Sequence, residues 1–319
     1  MKDYIKILNK AKNIALFSHE SPDPDTIGST VALALMLKQK GKNISLFCES
    51  EIPAQYYFLE DVKFYNVKEL DDSFDLLCSV DIAAPEMLGK YREKFLNFSN
   101  TLRLDHHANS QAFAKVNMVK IESACAIVIF DLAKQLKVKI TPEIADALYF
   151  AICGDTGIFR NNNTDSKTFE VCSKLLKCGA NIRRVYGEFY DKKTVPFVKM
   201  TSQVLLDAKI NDDLKYVILK ASAKDYERFG LSEENDNLGN LPHTYLNCGY
   251  KIAVVLKEKT DAVKCSLRSK VEYDVSEIAN MFGGGGHKNA AGCSFDCSLS
   301  EASTKMEKAI KNYLKNKGE

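Results

Sequence analysis

The chain has 319 residues, enough for two ordinary domains, and its 44 basic and 42 acidic residues leave a net charge of only +2. This balance excludes a protein that holds long nucleic acid through a broad basic surface. No apolar run approaches the ~18 residues of a membrane span, and the N-terminus lacks an apolar signal segment, so neither membrane insertion nor secretion is expected.

Ten cysteines are scattered along the chain, mostly inside apolar runs, and none forms a Cys-x-x-Cys pair. Scattered cysteines of this kind are typical of buried free thiols in a reducing compartment. We therefore expect a cytoplasmic protein without a disulfide framework.

The first half of the chain is predicted to form an α/β domain. Near-continuous apolar runs predict strands at residues 12–17, 43–48, 74–80 and 101–104, a pattern typical of parallel strands buried on both faces. Helices are predicted at 30–37, at 123–133 and from Pro142, behind the N-cap Thr141, to about Gly154. The predicted fold class is α/β, with a mostly parallel sheet flanked by helices.

Histidine or aspartate follows three of these predicted strands. His19 comes after the first strand, Asp81 after the third, and Asp105-His106-His107 after the fourth. Ligands bind at the carboxyl ends of the strands in open α/β sheets. The sequence therefore predicts one composite site rather than three unrelated surface loops.

Two further segments carry candidate ligands. Pro24 disfavours helical backbone at Asp23, so we expect Asp23 and Asp25 to lie in an extended segment and to point to the same side. The alternative for this segment is a simple N-capping loop. Asp155 stands between two glycines, where backbone can approach a ligand closely, although an ordinary turn aspartate is the alternative.

The second half of the chain is predicted to form a smaller α/β domain with a mixed sheet. The predicted domains are 1–190 and 201–319, joined by a linker at 191–200. A helix is predicted at 197–208 and strands at 214–220, 251–256 and 262–267, the last two as a hairpin. Asp274 or Ser276 is expected to open a short helix at 275–282, and Ser300 to cap a closing helix at 301–314.

Four consecutive glycines, 283–286, precede His287 in this half. Ordering such a run costs much conformational entropy, so it indicates close backbone approach to another group, and its free amides could bind an anion. Arg268, on the preceding hairpin, could hold a phosphate through two parallel hydrogen bonds. A flexible linker is the alternative for the glycine run, which matches neither the dinucleotide fingerprint nor the P-loop.

The candidate ligands indicate which ions the site would bind and which reaction it would catalyse. Four carboxylates brought together would raise one another's pKa values unless cations lay among them, and two divalent ions supply four matching charges. Mixed nitrogen and oxygen ligation suits Mn²⁺ best, with Mg²⁺ or Co²⁺ as alternatives. Two such ions sharing a hydroxide are suited to hydrolysis of a phosphate ester or anhydride.

These motifs resemble a known family. His19-x-x-x-Asp23-x-Asp25, a separate Asp81, Asp105-His106-His107 and Asp155 resemble the four motifs of the DHH phosphoesterase family, in that order. Residues 266–269, with the glycine run and His287, resemble the DHH-associated C-terminal domain. The pair, at this length, is similar to the NrnA group of nanoRNases and phosphatases of 3′-phosphoadenosine 5′-phosphate (pAp).

The resemblance implies a role for each matching residue in the first half. His19 and Asp23 would bind one metal, and Asp25 and His106 the other. Asp81 would bridge the two ions and Asp155 would complete the cluster. His107 would face the scissile phosphate, while Asp105 would orient a histidine ring; both are expected catalytic residues.

The resemblance also implies a substrate-binding set across an inter-domain cleft. Its expected members are Arg268, Ser269, Gly284, Gly285, Gly286 and His287, with Arg160 as a further phosphate contact. The expected substrates are nanoRNA of two to five nucleotides, cleaved to mononucleotides, and pAp, cleaved to AMP. No long nucleic acid and no membrane is expected as a partner, and the sequence leaves a homodimer open.

Three other functions compete with this prediction. A cyclic-dinucleotide or linear pApA phosphodiesterase is close to it and overlaps with nanoRNase activity. A manganese inorganic pyrophosphatase shares the first-domain motifs but carries a different second domain. A non-catalytic nucleotide- or RNA-binding protein is disfavoured by the complete ligand set.

Overall fold

The computed structural model describes residues 2–53, 56–60, 65–66, 70, 73–108, 110–190, 194–232 and 238–318. The chain divides into two compact units, Met1–Lys192 and Lys193–Glu319. Residues 191–193 of the predicted linker lie outside the described ranges, and residues 195–200 are helical. The domain limits at 190 and 201 stay a prediction.

Unit 1 is built around a parallel sheet. Its strands are β1 (Asn13–Phe17), β2 (Asn43–Phe47), β3 (Tyr65–Asn66), β4 (Leu76–Val80), β5 (Thr101–Asp105) and β6 (Val116–Val119). Its α-helices are α1 (Asp3–Lys10), α2 (Pro24–Gln39), α3 (Arg92–Asn97), α4 (Cys125–Leu136), α5 (Pro142–Asp155), α6 (Ser166–Lys177) and α7 (Ile182–Tyr190). A 3₁₀ segment, Pro85–Tyr91, precedes α3.

The strand order of this sheet places a crevice at its centre. The order is β3-β2-β1-β4-β5-β6, and all five neighbouring pairs are parallel. The chain order reverses between β1 and β4, the point at which open α/β sheets bind ligands beyond the carboxyl ends of their strands. Phe17 lies opposite Ser79, and Val80 opposite Leu104, so β1, β4 and β5 end at one edge.

The four predicted strands of this unit are confirmed, together with the α/β class. Every residue of β4 and β5 is buried, as expected for strands covered on both faces. One core on this sheet packs α2, α4 and α5, and a second contains Phe17, Phe47 and Phe95. The short strands β3 and β6 were not predicted.

The prediction for the segment around Pro24 is wrong in one respect. Asp23 is extended and accepts a hydrogen bond from the Thr26 amide at 3.0 Å, so it caps α2, but Asp25 already belongs to the first helical turn. Proline fits the first position of a helix because its ring fixes a helical φ and no amide is needed there. The two aspartates therefore do not share an extended backbone.

Unit 2 contains a mixed sheet. Its strands are β7 (Lys209–Asn211), β8 (Tyr216–Ala221), β9 (Ile252–Glu258), β10 (Val263–Ser269), β11 (Gly285–His287) and β12 (Ala290–Phe295), in the order β11-β12-β10-β9-β8-β7. Only β8 and β9 are parallel among the pairs described. Its α-helices are α8 (Val195–Leu206), α9 (Ala223–Phe229), α10 (His243–Asn247), α11 (Val275–Asn280) and α12 (Leu299–Asn316).

The mixed sheet and the hairpin of β9 and β10 are confirmed, but two helix limits were misplaced. Ser298, not Ser300, caps α12, because its side chain accepts from the Glu301 amide while Glu301 reaches back to Ser298. Asp274 caps α11, which ends at Asn280 rather than at Phe282. Within the described residues, every helix is too short or too polar to cross a membrane.

Candidate metal centre

The predicted metal ligands of unit 1 converge at the central edge of its sheet. His19 lies two residues beyond β1, Asp81 follows β4, and His106 follows β5. Asp25 lies in the first turn of α2, and Asp155 is the last residue of α5.

The ring of His106 lies at the middle of this cluster. Its Nε2 atom is 3.4 Å from Asp81 Oδ1, 3.5 Å from Asp155 Oδ2 and 3.7 Å from Asp25 Oδ2. Its Nδ1 atom lies 2.9 Å from the carbonyl oxygen of Glu122, which can only accept. Nδ1 therefore carries the proton, and Nε2 of the neutral ring is left as the atom that can bind a metal ion.

Three overlapping sets of donor atoms could each hold a metal ion. In each set all ligand atoms lie within 4.8 Å of one another. The sets are His19 with Asp23 and Asp81; Asp25 with His106 and Asp155; and Asp81 with His106 and His107.

Asp81 belongs to two of these sets and is the most constrained residue of the site. Its φ angle is +61°, a left-handed conformation that residues other than glycine, asparagine and aspartate rarely adopt. Its side chain is buried, and its Oδ1 atom has no hydrogen-bond partner among the described residues. Apart from the His106 ring 3.4 Å away, nothing in the described part of the chain compensates this buried carboxylate oxygen, which is unfavourable unless a cation neutralises it, so the donor set fits a metal centre.

Asp25 is oriented by a helix that lies a hundred residues further along the chain. Its carboxylate accepts hydrogen bonds from the Cys125 amide at 2.6 Å, the Ala126 amide at 3.1 Å and the Ser29 hydroxyl at 2.9 Å. Asp25 thus caps the N-terminus of α4, where the helix dipole favours a negative charge. Burial nevertheless raises the pKa of Asp25.

His107 is held by a different set of contacts. Its Nδ1 atom donates to Asp105 Oδ1 at 2.8 Å, and Asp105 also forms a buried ion pair with Arg103. Burial by itself would raise the pKa of Asp105, but the hydrogen bond from His107 and the charges of His107 and Arg103 lower it to about 2. Asp105 therefore stays ionised and fixes the orientation of the His107 ring.

The remaining ionisable groups show the electrostatic cost of the cluster without cations. Burial would lower the pKa of His106, but the carboxylates of Asp81, Asp25 and Asp155 raise it to about 10. Burial and the charge of Asp25 raise the pKa of Asp155 to about 8, and the same two causes raise that of Asp81 well above its usual range. Two divalent ions would remove this repulsion.

We expect metal binding to release protons near neutral pH. In the metal-free protein at pH 7, His106 is an imidazolium with both ring nitrogens protonated, and Asp155 is a neutral carboxylic acid. Their pKa values of about 10 and about 8 both lie above this pH. Bound metal requires the deprotonated ligands, so the apparent affinity should rise with pH. Calorimetry of Mn²⁺ binding at about pH 7, in two buffers of different ionisation enthalpy, should detect roughly one to two released protons. Buffer-independent heats would contradict this.

The predicted substrate-binding residues lie outside the cluster of candidate metal ligands. Arg160 is exposed, five residues beyond Asp155, and its Nε atom donates to the Gly157 carbonyl at 2.9 Å. In unit 2, Arg268 lies near the end of β10, on the same strand face as Lys264 and Ser266. The hydroxyl of Ser269 is already engaged, because it donates to the Tyr273 carbonyl at 2.8 Å and accepts from Asn289 at 3.0 Å.

The glycine run has a structural role that the sequence did not reveal. The amides of Gly283 and Gly284 donate to the Asn280 and Ala279 carbonyls, so these two are not free to form the expected anion nest. A Cβ at Gly284 would lie 2.1 Å from the Gly292 carbonyl oxygen, which excludes any larger residue. Gly285, Gly286 and His287 form the exposed edge strand β11, so a flexible linker is also excluded.

Three contacts of the site were missed at the sequence level. The Glu122 carbonyl orients His106, and the first amides of α4 orient Asp25; neither leaves a signal in the sequence. Arg103 could have been noticed, because alternate residues of a strand share a face and a charge inside an apolar run, two residues before Asp105, needs a partner.

Comparison with known proteins identifies both parts of the chain. Residues 13–152 match the DHH family, N-terminal domain, and residues 216–316 match the DHHA1 domain. The uncharacterized protein MG371 of Mycoplasma genitalium is 30% identical over 306 residues, which cover 91% of this chain and 89% of that protein. The bifunctional oligoribonuclease and PAP phosphatase NrnA of Thermus thermophilus is 28% identical over 310 residues, which cover 96% of this chain and 91% of that protein.

A solved structure shows the same fold over nearly the whole length. It is an exopolyphosphatase-related protein from Bacteroides fragilis, with a TM-score of 0.92 and 22% identity over 99% of this chain and 96% of that one. The order of the ligand-bearing loops, the two matched domains and the full-length relatives agree with one another. This chain belongs to the DHH family, and its second unit carries the DHHA1 domain.

Proposed function

We propose that this chain cleaves short oligonucleotides to mononucleotides, converts pAp to AMP, or does both, with two divalent metal ions. As a DHH-family member with relatives such as oligoribonuclease and PAP phosphatase NrnA, it is a hydrolase acting on phosphate ester bonds. The choice of substrate and metal is our inference.

One observation carries the proposal: Asp81, whose buried Oδ1 atom accepts no hydrogen bond among the described residues, belongs to two of the three sets of metal-binding groups. This arrangement supports assigning His19 and Asp23 to one ion and Asp25, His106 and Asp155 to the other, with Asp81 shared. The donors are carboxylate oxygens and imidazole nitrogens, which favours Mn²⁺, with Mg²⁺ or Co²⁺ as alternatives.

The protein groups around such ions have distinct tasks. When bound, the ions would lower the pKa of the attacking water and withdraw charge from the phosphoryl group. The α4 amides and Ser29 hold Asp25, and the Glu122 carbonyl holds His106, so the ligands are oriented before metal binding. His107 has its Nδ1 atom engaged by Asp105 and is partly exposed, so its Nε2 atom is the one that can contact a substrate phosphate.

We assign recognition of the rest of the substrate to unit 2, on the resemblance of its motifs and its match to the DHHA1 domain. Arg268 and His287 are the side chains proposed to contact a phosphate or nucleotide. The backbone of the glycine run, Gly284 to Gly286, would approach it closely. The engaged hydroxyl of Ser269 makes that residue a support for the segment 269–273 rather than an additional free donor.

The decisive experiment is a substrate panel with product identification. Metal-stripped protein, reloaded with Mn²⁺, should release mononucleotides from dinucleotide RNA or phosphate from pAp, and chelation should abolish turnover. Linear pApA, short DNA and pyrophosphate complete the panel. Selective turnover of pyrophosphate, or binding of nucleotides without turnover of any ester, would overturn the proposal.

We expect Arg268→Ala and His287→Ala to separate recognition from chemistry. A charge-assisted phosphate contact contributes ~1.5–3 kcal/mol, so dinucleotide turnover should fall by about 10–100-fold. Turnover of bis-p-nitrophenyl phosphate, which contains no nucleoside, should stay within about twofold of the parent. Arg228→Ala, an exposed arginine on α9, is the matched control and should change neither rate. Equal losses on both substrates would contradict the assignment.

The state of the cysteines supports a proposal about the compartment. All ten are free thiols, and seven of them are buried. We infer a cytoplasmic location, since such thiols persist in a reducing environment.

A further inference from the structure

A buried arginine lies directly behind the candidate metal centre and has no role in the functions assigned above. Arg103 is 1% exposed and is located on β5, whose five residues are all buried. Arginine is almost never fully buried unless it is paired, because removing its charge from water is costly. Its position in the core of unit 1 therefore requires specific partners.

Among the described residues, Arg103 has four partners, drawn from three separate segments. Its Nε atom donates to the Ile82 carbonyl at 2.7 Å, and its Nη1 atom donates to the Gln111 carbonyl at 2.6 Å. Its Nη2 atom forms the ion pair with Asp105, and its guanidinium lies 5.2 Å from the centre of the Phe113 ring. A planar guanidinium with donors in a fixed fork can serve all of these acceptors at once.

Two of these segments carry residues of the candidate metal centre. Ile82 immediately follows Asp81, whose left-handed backbone must be held in place by its surroundings. Asp105 in turn holds the Nδ1 atom of His107. The Gln111 carbonyl accepts from Arg103, and the Gln111 amide donates to the Ala83 carbonyl at 3.0 Å, so Gln111 also joins Arg103 to the segment that follows Asp81.

We propose that Arg103 is a positioning residue that locks the Asp81–Ile82 turn and the Asp105–His107 pair in the geometry that the metal centre needs. The contacts of Arg103 in the described part of the chain are to groups other than the candidate metal ligands, so it would act through Ile82 and Asp105. The part of this inference that concerns catalysis rests on the phosphoesterase function proposed above. The part that concerns the His107 ring does not.

The alternative is a purely structural ion pair, whose loss would lower stability without altering the site. The positioning role and the purely structural role predict different tautomers of His107 when Arg103 is replaced. While Arg103 holds the Asp105 carboxylate in its present rotamer, Asp105 Oδ1 accepts from His107 Nδ1, and the His107 proton stays on that atom. Without the guanidinium, Asp105 loses its charge partner and its fixed rotamer, so the proton should distribute over both ring nitrogens.

The first experiment reads the His107 tautomer directly, in metal-free protein labelled with ¹⁵N-histidine. A spectrum of His107→Gln assigns the signal. In the parent protein we expect the Nδ1–H tautomer to predominate, and in Arg103→Met a mixture of the two. Arg92→Met serves as the matched control, because Arg92 is an exposed arginine of the same unit that pairs with Glu86; it should keep the parent tautomer.

The second experiment measures Mn²⁺ binding and turnover in the same variants. Outer contacts of a metal site typically change affinity or activity by 10–100-fold, so we expect kcat of Arg103→Met to fall by about that factor, with KM within about twofold. Arg103→Lys keeps the charge but supplies a single point donor, so it should recover only part of the loss.

Arg103→Met leaves Asp105 without its charge partner and can fail to fold. In that case Arg103→Lys and Arg103→Ala, the latter with added guanidinium chloride at low millimolar concentration, replace it. Recovery of turnover by guanidinium in Arg103→Ala, but not in Asp105→Asn, supports the positioning role.

An unchanged His107 tautomer together with an unchanged kcat in a folded Arg103 variant would overturn the inference. If the parent protein turns over none of the phosphate esters in the panel, the proposed function fails, yet the tautomer comparison still decides the role of Arg103. The two failures are therefore distinguishable.

Discussion

Asp81→Asn should abolish turnover and at the same time stabilise the metal-free protein. Asparagine cannot neutralise two cations, so we expect kcat to fall by at least about 10³-fold and bound Mn²⁺ to decrease. Asp81 is buried beside Asp25, and these causes hold its pKa well above the usual range. Its ionised form is therefore less favourable in the folded state than in the unfolded chain.

The sign of the stability change follows from this shift. Above the pKa of the unfolded chain, a carboxylate with a raised folded-state pKa destabilises the fold, and a neutral side chain removes that penalty. Asparagine also tolerates the left-handed φ of +61° at this position. Each kcal/mol gained should raise the Tm of the metal-free protein by about 2–4 °C, whereas the Mn²⁺-induced rise in Tm should be lost.

Asp3→Asn is the matched control, since Asp3 is an exposed aspartate at the start of α1. It should leave turnover, metal content and the Mn²⁺-induced Tm shift unchanged. Retained turnover in Asp81→Asn would remove Asp81 from the centre. Lost turnover with a lower Tm would point to misfolding instead.

Gly28→Ala should damage the metal centre from a distance. An alanine in a helix interior normally stabilises by ~1 kcal/mol relative to glycine. Here a Cβ would lie 2.4 Å from the Ala147 carbonyl oxygen and 2.8 Å from the Ala151 Cβ, both on α5. The two helices must separate, at a cost of about 1–3 kcal/mol, so the variant should be less stable despite its better helix propensity.

This separation should also move the ligands carried by the two helices. Asp25 lies in the first turn of α2 and Asp155 at the end of α5, so Mn²⁺ affinity should fall by roughly 10–100-fold. Ala151→Gly, added to Gly28→Ala, should recover part of the loss but not all of it, because the closest atom is the Ala147 backbone oxygen. Urea unfolding and Mn²⁺ titration measure both effects. A Gly28→Ala variant more stable than the parent would show that α2 and α5 can accommodate the added methyl group without separating.

Many strands and helices of unit 1 could be predicted because short stretches of sequence determine them. An apolar run of strand length must be covered on both faces, and parallel strands bring their carboxyl ends to one edge. His19, Asp81 and His106 therefore had to lie near one another once their strands formed one sheet. The composition of the set, four carboxylates and two imidazoles, then indicated cations without any knowledge of distances.

The orientation of these groups was decided only by tertiary structure. Asp25 is held by the amides of Cys125 and Ala126, and the positive φ of Asp81 depends on the strands around it. Two glycines of the run, Gly285 and Gly286, begin the edge strand β11, and no local pattern indicates the close approach of Gly284 and Gly286 to β12. Such contacts join residues far apart in the chain, and packing rather than local propensity selects them. The sequence thus sufficed to propose the residues of the candidate centre, whereas the role proposed for Arg103 depends on the fold, which places Ile82, Asp105 and Gln111 around one guanidinium.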